Sequence, residues 1–454
     1  MAKPIKTSDV FVPGRNPQYT YNPRSDRELE ERLRLYLDDG GAILTLVGPT
    51  KTGKTVLLRE VIETPVWIEA QGIDSAETFW ALVGNELGLY VDSGTSSDSN
   101  DSLEGGGGVN AGVFNVGGKV TTSTGQSLGK SAVRVTSVES RKALQDSGRV
   151  LVVDDFHFIA RDVQQQIVQA VKPLVYNDTR VVFAAISHRV LDVPQAVDDM
   201  AGRTEPLRIE LWKIDELLVI ARRGFEKLRV VDYENRLART LAENSFGSPH
   251  LMQRLCREFV RDVNEISEAV QPARDLHEPA DWDEFFRKQV DGRAGQWFAR
   301  LLSGPKKGGN TRTTYDIVDG RKVDGYGLIL LAVAATLPEL VITRQKLNSA
   351  IDVLVGEGAK PADHQVTRFL KHMTRIAGRS LEEDVLPEEL LDEEDADGTY
   401  IYAGVEPVLE YVEDGPNSVL SIADPFIAYY IRWGAGLHIE ALTEQSETPD
   451  PPSR

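Results

Sequence analysis

The sequence predicts an α/β fold, with a mainly parallel sheet in the first half of the chain and a mostly helical second half. Short, continuous runs of apolar and β-branched residues recur up to residue 211, and helical patterns separate most of them. Such runs are typical of parallel strands that are buried on both faces. After residue 211 helical periodicity dominates. The 454 residues are enough for two or three domains.

The chain begins with an extended segment and a capped helix. Residues 1–21 are rich in Pro, Asn and Tyr and are predicted to be extended. Ser25 and Glu28 have the spacing of a capping box, which predicts a helix that begins at Ser25. Gly40 and Gly41 are expected to end that helix, because glycine readily adopts the backbone conformation that terminates helices.

Five predicted strands follow in order. They are AILTLV (42–47), PVWIEA (65–70), RVLVVDD (149–155), RVVFAAI (180–186) and LRIEL (207–211). Residues 92–131 interrupt the alternation of these strands with helices. This segment is rich in Gly and Ser and is predicted to be a flexible insertion whose second part forms a β-hairpin. The core domain is therefore predicted to span residues 22–211.

A phosphate-binding loop is predicted directly after the first strand. The stretch GPTKTGKT matches the pattern G-x-x-x-x-G-K-[ST] between a strand and a helix, as that motif requires. Its residues are Gly48, Pro49, Thr50, Lys51, Thr52, Gly53, Lys54 and Thr55. In such loops backbone N–H groups surround the phosphates, the lysine (Lys54) reaches the β- and γ-phosphates, and the hydroxyl of Thr55 ligates magnesium. The sequence thus predicts a P-loop NTPase core that binds ATP or ADP with Mg²⁺.

Two adjacent carboxylates end the third predicted strand. Asp154 and Asp155 follow four apolar residues, so they are expected at the carboxyl edge of the sheet beside the phosphate loop. Asp154 is predicted to hold magnesium through water, and Asp155 to orient or deprotonate the attacking water. The next strand ends in a turn at 187–189, where Arg189 either senses the γ-phosphate or belongs to a plain surface loop.

The second half of the chain is predicted to form a helical lid at 212–275 and a winged-helix domain within 276–440. Residues 360–379 resemble the second half of a helix-turn-helix. Two strand-like stretches, TYIYAG and SVLSIAD, follow an acidic loop at 381–398. The last residues, 441–454, are predicted to be a disordered tail.

Composition indicates in which compartment the protein works and which kinds of partner it is expected to bind. The most apolar segment, 328–342, contains Pro338 and is too short to span a bilayer, so it is predicted to be a core helix, and no membrane contact is expected. The start of the chain lacks the apolar region of a signal peptide, and a single cysteine, Cys256, excludes an internal disulfide. Both observations favour the cytoplasm. A formal net charge of −19 disfavours non-specific adhesion to nucleic acid.

Together these residues resemble the AAA+ and STAND branch of P-loop ATPases, the latter being signal-transduction ATPases with numerous domains. The resemblance rests on residues 48–55, 150–155 and 186–189. It also rests on FGSPHLMQRLC (246–256) and IADPFIAYYIRW (422–433) in the second half. It implies an ATPase core, a helical lid and a winged helix that opens and closes with nucleotide state.

The resemblance also implies nucleotide contacts from the lid. Pro249 and His250 would approach the adenine or the phosphates, and Arg254, one helical turn further on, would act as a second phosphate sensor. Simpler roles are a helix start for Pro249, a helix cap for His250 and a solvated side chain for Arg254.

Two features depart from the family pattern. Asp155 stands where AAA+ proteins usually have Glu, and its shorter side chain suits STAND proteins and slow turnover. No long repeat array follows the winged helix, so either a separate subunit supplies sensing or the chain lies nearer to the origin-recognition-like ATPases. No arginine finger is assigned, and the candidates near the core are Arg161, Arg180 and Arg203.

Three functions are compatible with these features. The first is an ATP-driven conformational switch that self-associates as a homo-oligomer or binds a protein effector. The second is a DNA-associated ATPase of the loader, transposition or origin-recognition type, in which Arg368, Lys371 and Arg375 present one basic helical face to DNA. The third is a structural subunit that binds nucleotide and hardly hydrolyses it.

Overall fold

A computed structural model describes residues 4–89, 137–186, 204–306, 312–388, 391 and 407–436. Within these ranges the first half of the chain forms a parallel sheet with helices on both faces. The second half is mostly helical and contains two small antiparallel sheets. The predicted α/β class with a mainly parallel sheet is confirmed.

The central sheet positions the candidate site. Its strands are β1 (Ile43–Val47), β2 (Val66–Glu69), β3 (Leu151–Asp154), β4 (Val181–Ala185) and β5 (Thr204–Arg208). They are parallel and lie in the order β2-β3-β4-β1-β5. All five predicted strands are present, although β5 begins and ends earlier than its apolar run. Because β4 separates β1 from β3, side chains that follow β1 and β3 face each other across the end of β4.

Helices cover both faces of this sheet. They are α2 (Leu29–Asp39), α3 (Lys54–Val61), α4 (Ala76–Glu86), α5 (137–147) and α6 (Arg161–Tyr176), after a short α1 (Thr7–Val10) near the start of the chain. Successive strand residues point to opposite faces. Leu151 accordingly packs into the hydrophobic cluster with α4 and α6, whereas Val152 packs into the cluster with α2 and α3.

The first helix of the core begins later than predicted. Ser25 lies in a 3₁₀ turn and does not cap α2, and Glu28 precedes the helix with a left-handed φ of 54°. The capping box was therefore a wrong prediction. The physical reason is a long-range contact, since the side chains of Arg24 and Arg27 bind Glu216 and turn the chain before α2 can start. At the other end α2 stops before Gly40, as predicted.

The N-terminal segment is more ordered than an extended strand. Residues 1–21, predicted as extended, contain α1, and Phe11 after it is fully buried against Phe225. The hydroxyl of Thr7 donates to the carbonyl of Ile266. The segment thus packs on the lid.

The segment predicted as the lid, called the lid below, contains three α-helices. They are α7 (Ile214–Leu228), α8 (Arg236–Glu243) and α9 (Pro249–Glu258). A two-stranded parallel pair, β6 (Val230–Val231) and β7 (Arg274–Asp275), closes the region. Ser248 accepts a hydrogen bond from the N–H of Leu251, so Ser248 caps α9 and Pro249 occupies its first turn.

The C-terminal part combines helices with two small antiparallel sheets. Its helices are α10 (Trp282–Lys288), α11 (Gly292–Ser303), α12 (Gly325–Thr336), α13 (Arg344–Val355), α14 (Asp363–Ala377) and α15 (Pro425–Trp433). Its strands are β8 (Thr314–Asp316), β9 (Lys322–Asp324), β10 (Val341–Thr343), β11 (Leu409–Val412) and β12 (Val419–Ile422). The second sheet has the order β10-β12-β11. The predicted strand SVLSIAD is β12, whereas TYIYAG lies outside the described residues.

The most apolar segment is only half helical. Residues 328–342 were predicted to be one core helix, but α12 ends at Thr336 and the chain continues into β10. Proline lacks the N–H that an interior helical position donates, and it disfavours helical geometry in the residue before it, so Pro338 ends the helix. No helix within the described ranges is long and apolar enough to cross a membrane.

The lid and the C-terminal part share one hydrophobic core. A continuous cluster of buried side chains runs from Val10 through α7–α9 to α15 and contains no strand of the central sheet. Phe259 stacks on Trp282 with ring centroids 5.6 Å apart, and Phe246 meets Tyr429 edge to face at 6.3 Å. The predicted division between residues 275 and 276 therefore falls within a shared core.

Candidate nucleotide-binding site

The loop between β1 and α3 has the backbone of a phosphate-binding loop. Gly53 precedes α3 with φ of 96°, a conformation that side-chain-bearing residues rarely adopt. Gly48 lies so close to the backbone at Ile209 that an added Cβ would be 2.4 Å from the carbonyl oxygen of that residue. Both motif glycines are therefore required by geometry, and α3 directs its free N–H groups and positive dipole end at the loop.

The side chain of Lys54 turns back into the phosphate loop. Its side chain is only 7% exposed, and its ammonium donates to the carbonyl oxygens of Gly48 at 2.9 Å and Pro49 at 3.0 Å. The loop thus surrounds a positive charge. This arrangement suits an anionic ligand, because a buried cation gains most from a nearby opposite charge.

Thr55 and Asp154 meet across the end of β4. The Thr55 hydroxyl donates to the Asp154 carboxylate at 2.7 Å, and Asp154 is 4% exposed. Burial raises the pKa of Asp154, while the Thr55 hydrogen bond and the Lys54 charge oppose that shift. A hydroxyl and a carboxylate are the hard oxygen ligands that Mg²⁺ prefers. Within the described ranges no three His, Cys, Asp or Glu side chains form a metal site, so remaining ligands would come from phosphate oxygens and water.

Asp155 lies beside the loop with a carboxyl group whose pKa is raised. It lines the same cavity as Lys54 and Thr55, and its φ of 55° lies in the left-handed region. Burial raises the pKa of Asp155 to about 6, with a further contribution from the neighbouring Asp154 charge. A carboxylate whose pKa approaches neutrality accepts a proton more readily than an ordinary aspartate.

The cavity extends from the loop to the lid and the N-terminal segment. Its volume of about 600 Å³ lies within the range of small-molecule sites. Beyond the motif, its wall includes Val12, Asn16, Tyr21, Trp212 and Gln253. These residues were not predicted, because no local pattern shows that the N-terminal segment, the β5–α7 connection and α9 line one cavity with the loop.

The lid contributes two of its three predicted residues. Pro249 and His250 line the cavity, and burial together with the nearby charges of Lys51 and Arg254 lowers the pKa of His250 to about 4. Arg254 is absent from the cavity wall. It lies 3.7 Å from the carboxylate of Asp291 and over the ring of Phe426. Its role as a phosphate sensor stays a prediction.

A contact with the C-terminal part was not predicted. The ammonium of Lys51, the fourth residue of the loop, binds both carboxylate oxygens of Asp424 at 2.9 and 2.8 Å. It also lies 4.2 Å from the ring centroid of Phe426, which meets His250 edge to face at 5.2 Å. Lys51 and Asp424 are 373 positions apart, so no spacing rule could have paired them.

The candidate arginines have different environments. Arg189 and Arg203 lie outside the described residues, as does the whole turn at 187–189. Arg180 donates to the carbonyl oxygens of Leu37 and Asp38, which indicates a structural role. Arg161 is exposed at the start of α6.

The predicted basic face of α14 is only partly formed. Arg368 is exposed and Lys371 is half-buried, but Arg368 pairs with Glu388 at 3.0 Å and Lys371 with Glu413 at 2.7 Å. Arg375 is buried, but it lines the same cleft as Arg368 and Lys371. The three predicted cations therefore lie on one side of α14, although burial keeps Arg375 below the open surface. Their role in DNA binding stays a prediction.

Comparisons with known proteins give structural neighbours only. No family model and no curated protein matches the chain. One solved structure that is similar to it is Cdc6p from Pyrobaculum aerophilum, with 14% identity, coverage of 98% of this chain and 100% of that chain, and a TM-score of 0.40. Another is the ORC2 protein from Aeropyrum pernix, solved as ADPNP-ADP complexes, with 13% identity, coverage of 97% and 100%, and a TM-score of 0.46. The similarity to a Thermotoga maritima RuvB mutant has 14% identity, covers 63% of this chain and 80% of that chain, and has a TM-score of 0.36. At such identities and TM-scores these similarities do not support a function, so the candidate nucleotide-binding site rests on the geometry of this chain alone.

Proposed function

We propose that the chain is an ATP-binding, slowly hydrolysing conformational switch of the AAA+/STAND type. One observation carries this proposal. The phosphate loop touches the start of the last helix directly, through Lys51 and Asp424. A ligand that engages the loop therefore also acts on the C-terminal part.

In the proposed complex the triphosphate lies in the loop. Gly48 and Gly53 leave room for close backbone approach, Lys54 supplies the buried cation, and Thr55 with Asp154 would hold Mg²⁺. The bound metal would neutralise phosphate charge. The nucleoside would extend along the cavity toward Pro249 and His250.

Hydrolysis needs a group that orients and deprotonates water. Asp155 fits this role, because it lines the cavity and its pKa is raised to about 6. Its side chain is one methylene shorter than Glu, which supports the proposal of slow turnover.

The switch itself would be a competition for Lys51. Phosphate oxygens and the carboxylate of Asp424 are both anionic, and one ammonium cannot fully neutralise both. Engagement of Lys51 by nucleotide would weaken its hold on α15 and allow the C-terminal part to move. The direct contact of Phe426 with His250 supports movement of the lid with it.

Nucleotide binding and turnover test the catalytic part of the proposal. Calorimetry with ATP and ADP should detect binding to the wild-type protein, and phosphate release should be measurable with Mg²⁺. Lys54→Ala should reduce turnover at least 100-fold, whereas Lys288→Ala, an exposed lysine on α10, should leave turnover unchanged. Equal turnover in wild type and Lys54→Ala would refute the catalytic assignment. Tightly retained ADP without turnover would instead favour the structural subunit.

Self-association or a protein effector would provide the output of the switch. Solution mass measured with ADP and with a non-hydrolysable ATP analogue tests this directly. A nucleotide-dependent change in assembly is expected. An invariant monomer under both conditions would leave only an effector as the output.

A second candidate is a DNA-associated ATPase. The order α12-β10-α13-α14-β11-β12 supports a winged helix, in which α14 would be the helix that enters a groove. Arg368 and Lys371 support this candidate, but both already pair with acids of the same chain. Gel shifts at two salt concentrations discriminate the candidates, because phosphate contacts must weaken steeply with salt. Binding of duplex DNA with no salt dependence, or no binding at all, would exclude it.

A further inference from the structure

Trp212 occupies the connection between the central sheet and the lid. It follows β5 and precedes α7, and its two N–H groups donate in different directions. The indole Nε1–H donates to the carbonyl oxygen of Thr52 in the phosphate loop at 2.9 Å. The backbone N–H donates to the carbonyl oxygen of Gly247, just before α9, at 3.0 Å. One residue thus joins the loop to the lid.

The indole hydrogen bond orients a peptide group of the loop. The acceptor oxygen belongs to the peptide that links Thr52 to Gly53. In a planar trans peptide the C=O and N–H groups point in opposite directions. Holding the Thr52 oxygen toward Trp212 therefore fixes the N–H of Gly53, the N-cap residue of α3, away from it. The N–H groups at this position are those with which a helix start binds phosphate.

The indole ring is itself held in place. The guanidinium carbon of Arg24 lies 5.0 Å from the ring centroid of Trp212. Arg24 is buried and donates to both carboxylate oxygens of Glu216, at 3.0 and 3.1 Å. Glu216 lies in the first turn of α7. The ring is thus fixed between the phosphate loop and a buried ion pair at the base of the lid.

We infer that Trp212 is a positioning residue that transmits the orientation of the lid to the phosphate loop. This inference rests on the nucleotide binding proposed above. A lid movement that displaces Gly247 or Glu216 must displace Trp212, and the Thr52–Gly53 peptide must then turn. The affinity of the loop for phosphate therefore depends on the position of the lid.

The affinity for ligands with and without a nucleoside tests the inference. Trp212→Phe removes the donor but keeps an aromatic ring, and Trp433→Phe is the control, since Trp433 also donates through its indole, to Asn244 on the lid at 3.2 Å. Calorimetry would measure binding of ADP and of inorganic tripolyphosphate. Trp212→Phe should weaken both ligands by a similar factor of about ten, the value of one lost hydrogen bond, and Trp433→Phe should weaken neither.

Each other outcome has a separate meaning. Weaker ADP binding with unchanged tripolyphosphate binding would place Trp212 against the nucleoside and overturn the inference. Unchanged binding of both ligands by Trp212→Phe would also overturn it while leaving the proposed function intact. A wild-type protein that binds neither ligand would overturn both.

Folding of the variant is controlled independently. Thermal melting of the two variants should match the wild type. If Trp212→Phe melts early, β-(3-benzothienyl)alanine at position 212 keeps the bicyclic ring and replaces only the N–H. The same tenfold loss for both ligands is then expected, and full affinity with this analogue would overturn the inference.

Discussion

Asp155 combines a left-handed backbone with a position on the cavity wall. Asp and Asn are the residues that most readily tolerate this backbone region after glycine. Replacement by Asn therefore removes the base without adding backbone strain. Asp178 offers a matched control, because it also has a left-handed φ, of 73°, and lies at the surface.

Asp155→Asn should lower the turnover number for ATP by about 10²–10³-fold, because a positioned general base contributes about that much. The affinity for ADP should stay within about threefold, since Asp154 keeps its contact with Thr55. Calorimetry and a phosphate-release assay measure the two quantities. Asp178→Asn should change neither, and an Asp155→Asn protein with wild-type turnover would remove Asp155 from the mechanism.

His250 should make folding stability depend on pH. Its pKa is about 4 in the folded protein, because of burial and the cations Lys51 and Arg254, against 6.5 in an unfolded chain. As the pH falls below 6.5, His250 becomes protonated in the unfolded state but stays neutral in the folded state. The free energy of unfolding therefore decreases until the pH nears 4. Above pH 7 both states are neutral and the effect vanishes.

Urea unfolding of the wild type and His250→Gln at pH 7.5 and 4.5 measures this effect. The wild type should lose on the order of 2 kcal/mol more than the variant between these pH values, after allowance for the partial exposure of His250. Equal losses would show that His250 is charged in the folded state.

At the scale of single residues, local motifs predicted which residues of the loop and of β3 lie close together, but not their long-range partners. The loop motif predicted Lys54 and Thr55, and the acidic end of the third predicted strand placed Asp154 beside them. Lys51 was assigned to the loop correctly, but its partner Asp424 could not be inferred. Nothing in local spacing reports which distant helix a side chain reaches.

At the scale of elements, the same division holds. The five strands were predictable because β-branched runs buried on both faces leave a clear pattern. The ends of elements were less predictable, because they depend on tertiary contacts. α2 starts late through the Arg24–Glu216 pair, and α12 stops at Thr336 although its apolar run continues.

The last helix, α15, allows its cap and its ion pair to be separated. Asp424 accepts a hydrogen bond from the N–H of Phe426 at 2.8 Å, so it caps α15 while it binds Lys51. Asn caps helices about as well as Asp, so Asp424→Asn should leave the helix intact and remove the ion pair. The variant frees Lys51 and deletes a negative charge beside the loop.

Both consequences of Asp424→Asn favour anionic ligands. Its affinity for ADP and for a non-hydrolysable ATP analogue should rise about three- to tenfold, as measured by calorimetry. Asp384→Asn, which removes an exposed ion pair with Lys306, is the control and should have no effect. Unchanged or weaker binding by Asp424→Asn would exclude competition for Lys51.

At the scale of the whole molecule, the hydrophobic clusters define which parts move together. Two clusters lie on the faces of the central sheet, and a third joins the lid to the C-terminal part. A continuous core resists internal sliding, because close-packed side chains deform little. Nucleotide should therefore move the lid and the C-terminal part as one body relative to the sheet.

Two pairs of spin labels test this expectation. Tyr176 on the core, Tyr233 on the lid and Val353 on the C-terminal part are 82%, 68% and 75% exposed, and the native Cys256 is fully buried and should not react. Between ADP and a non-hydrolysable ATP analogue, the distance from 176 to 353 should change, whereas the distance from 233 to 353 should stay constant. Comparable changes in both pairs would contradict a single body.

The Lys51–Asp424 contact has a consequence for any macromolecule that binds α15. Coupling between two binding events is reciprocal, so each changes the affinity of the other by the same factor. If phosphate loosens α15, then a macromolecule that draws α15 away must alter nucleotide retention equally. Such a partner would slow nucleotide release from a distance, without contacting the nucleotide, because it removes the carboxylate that competes for Lys51.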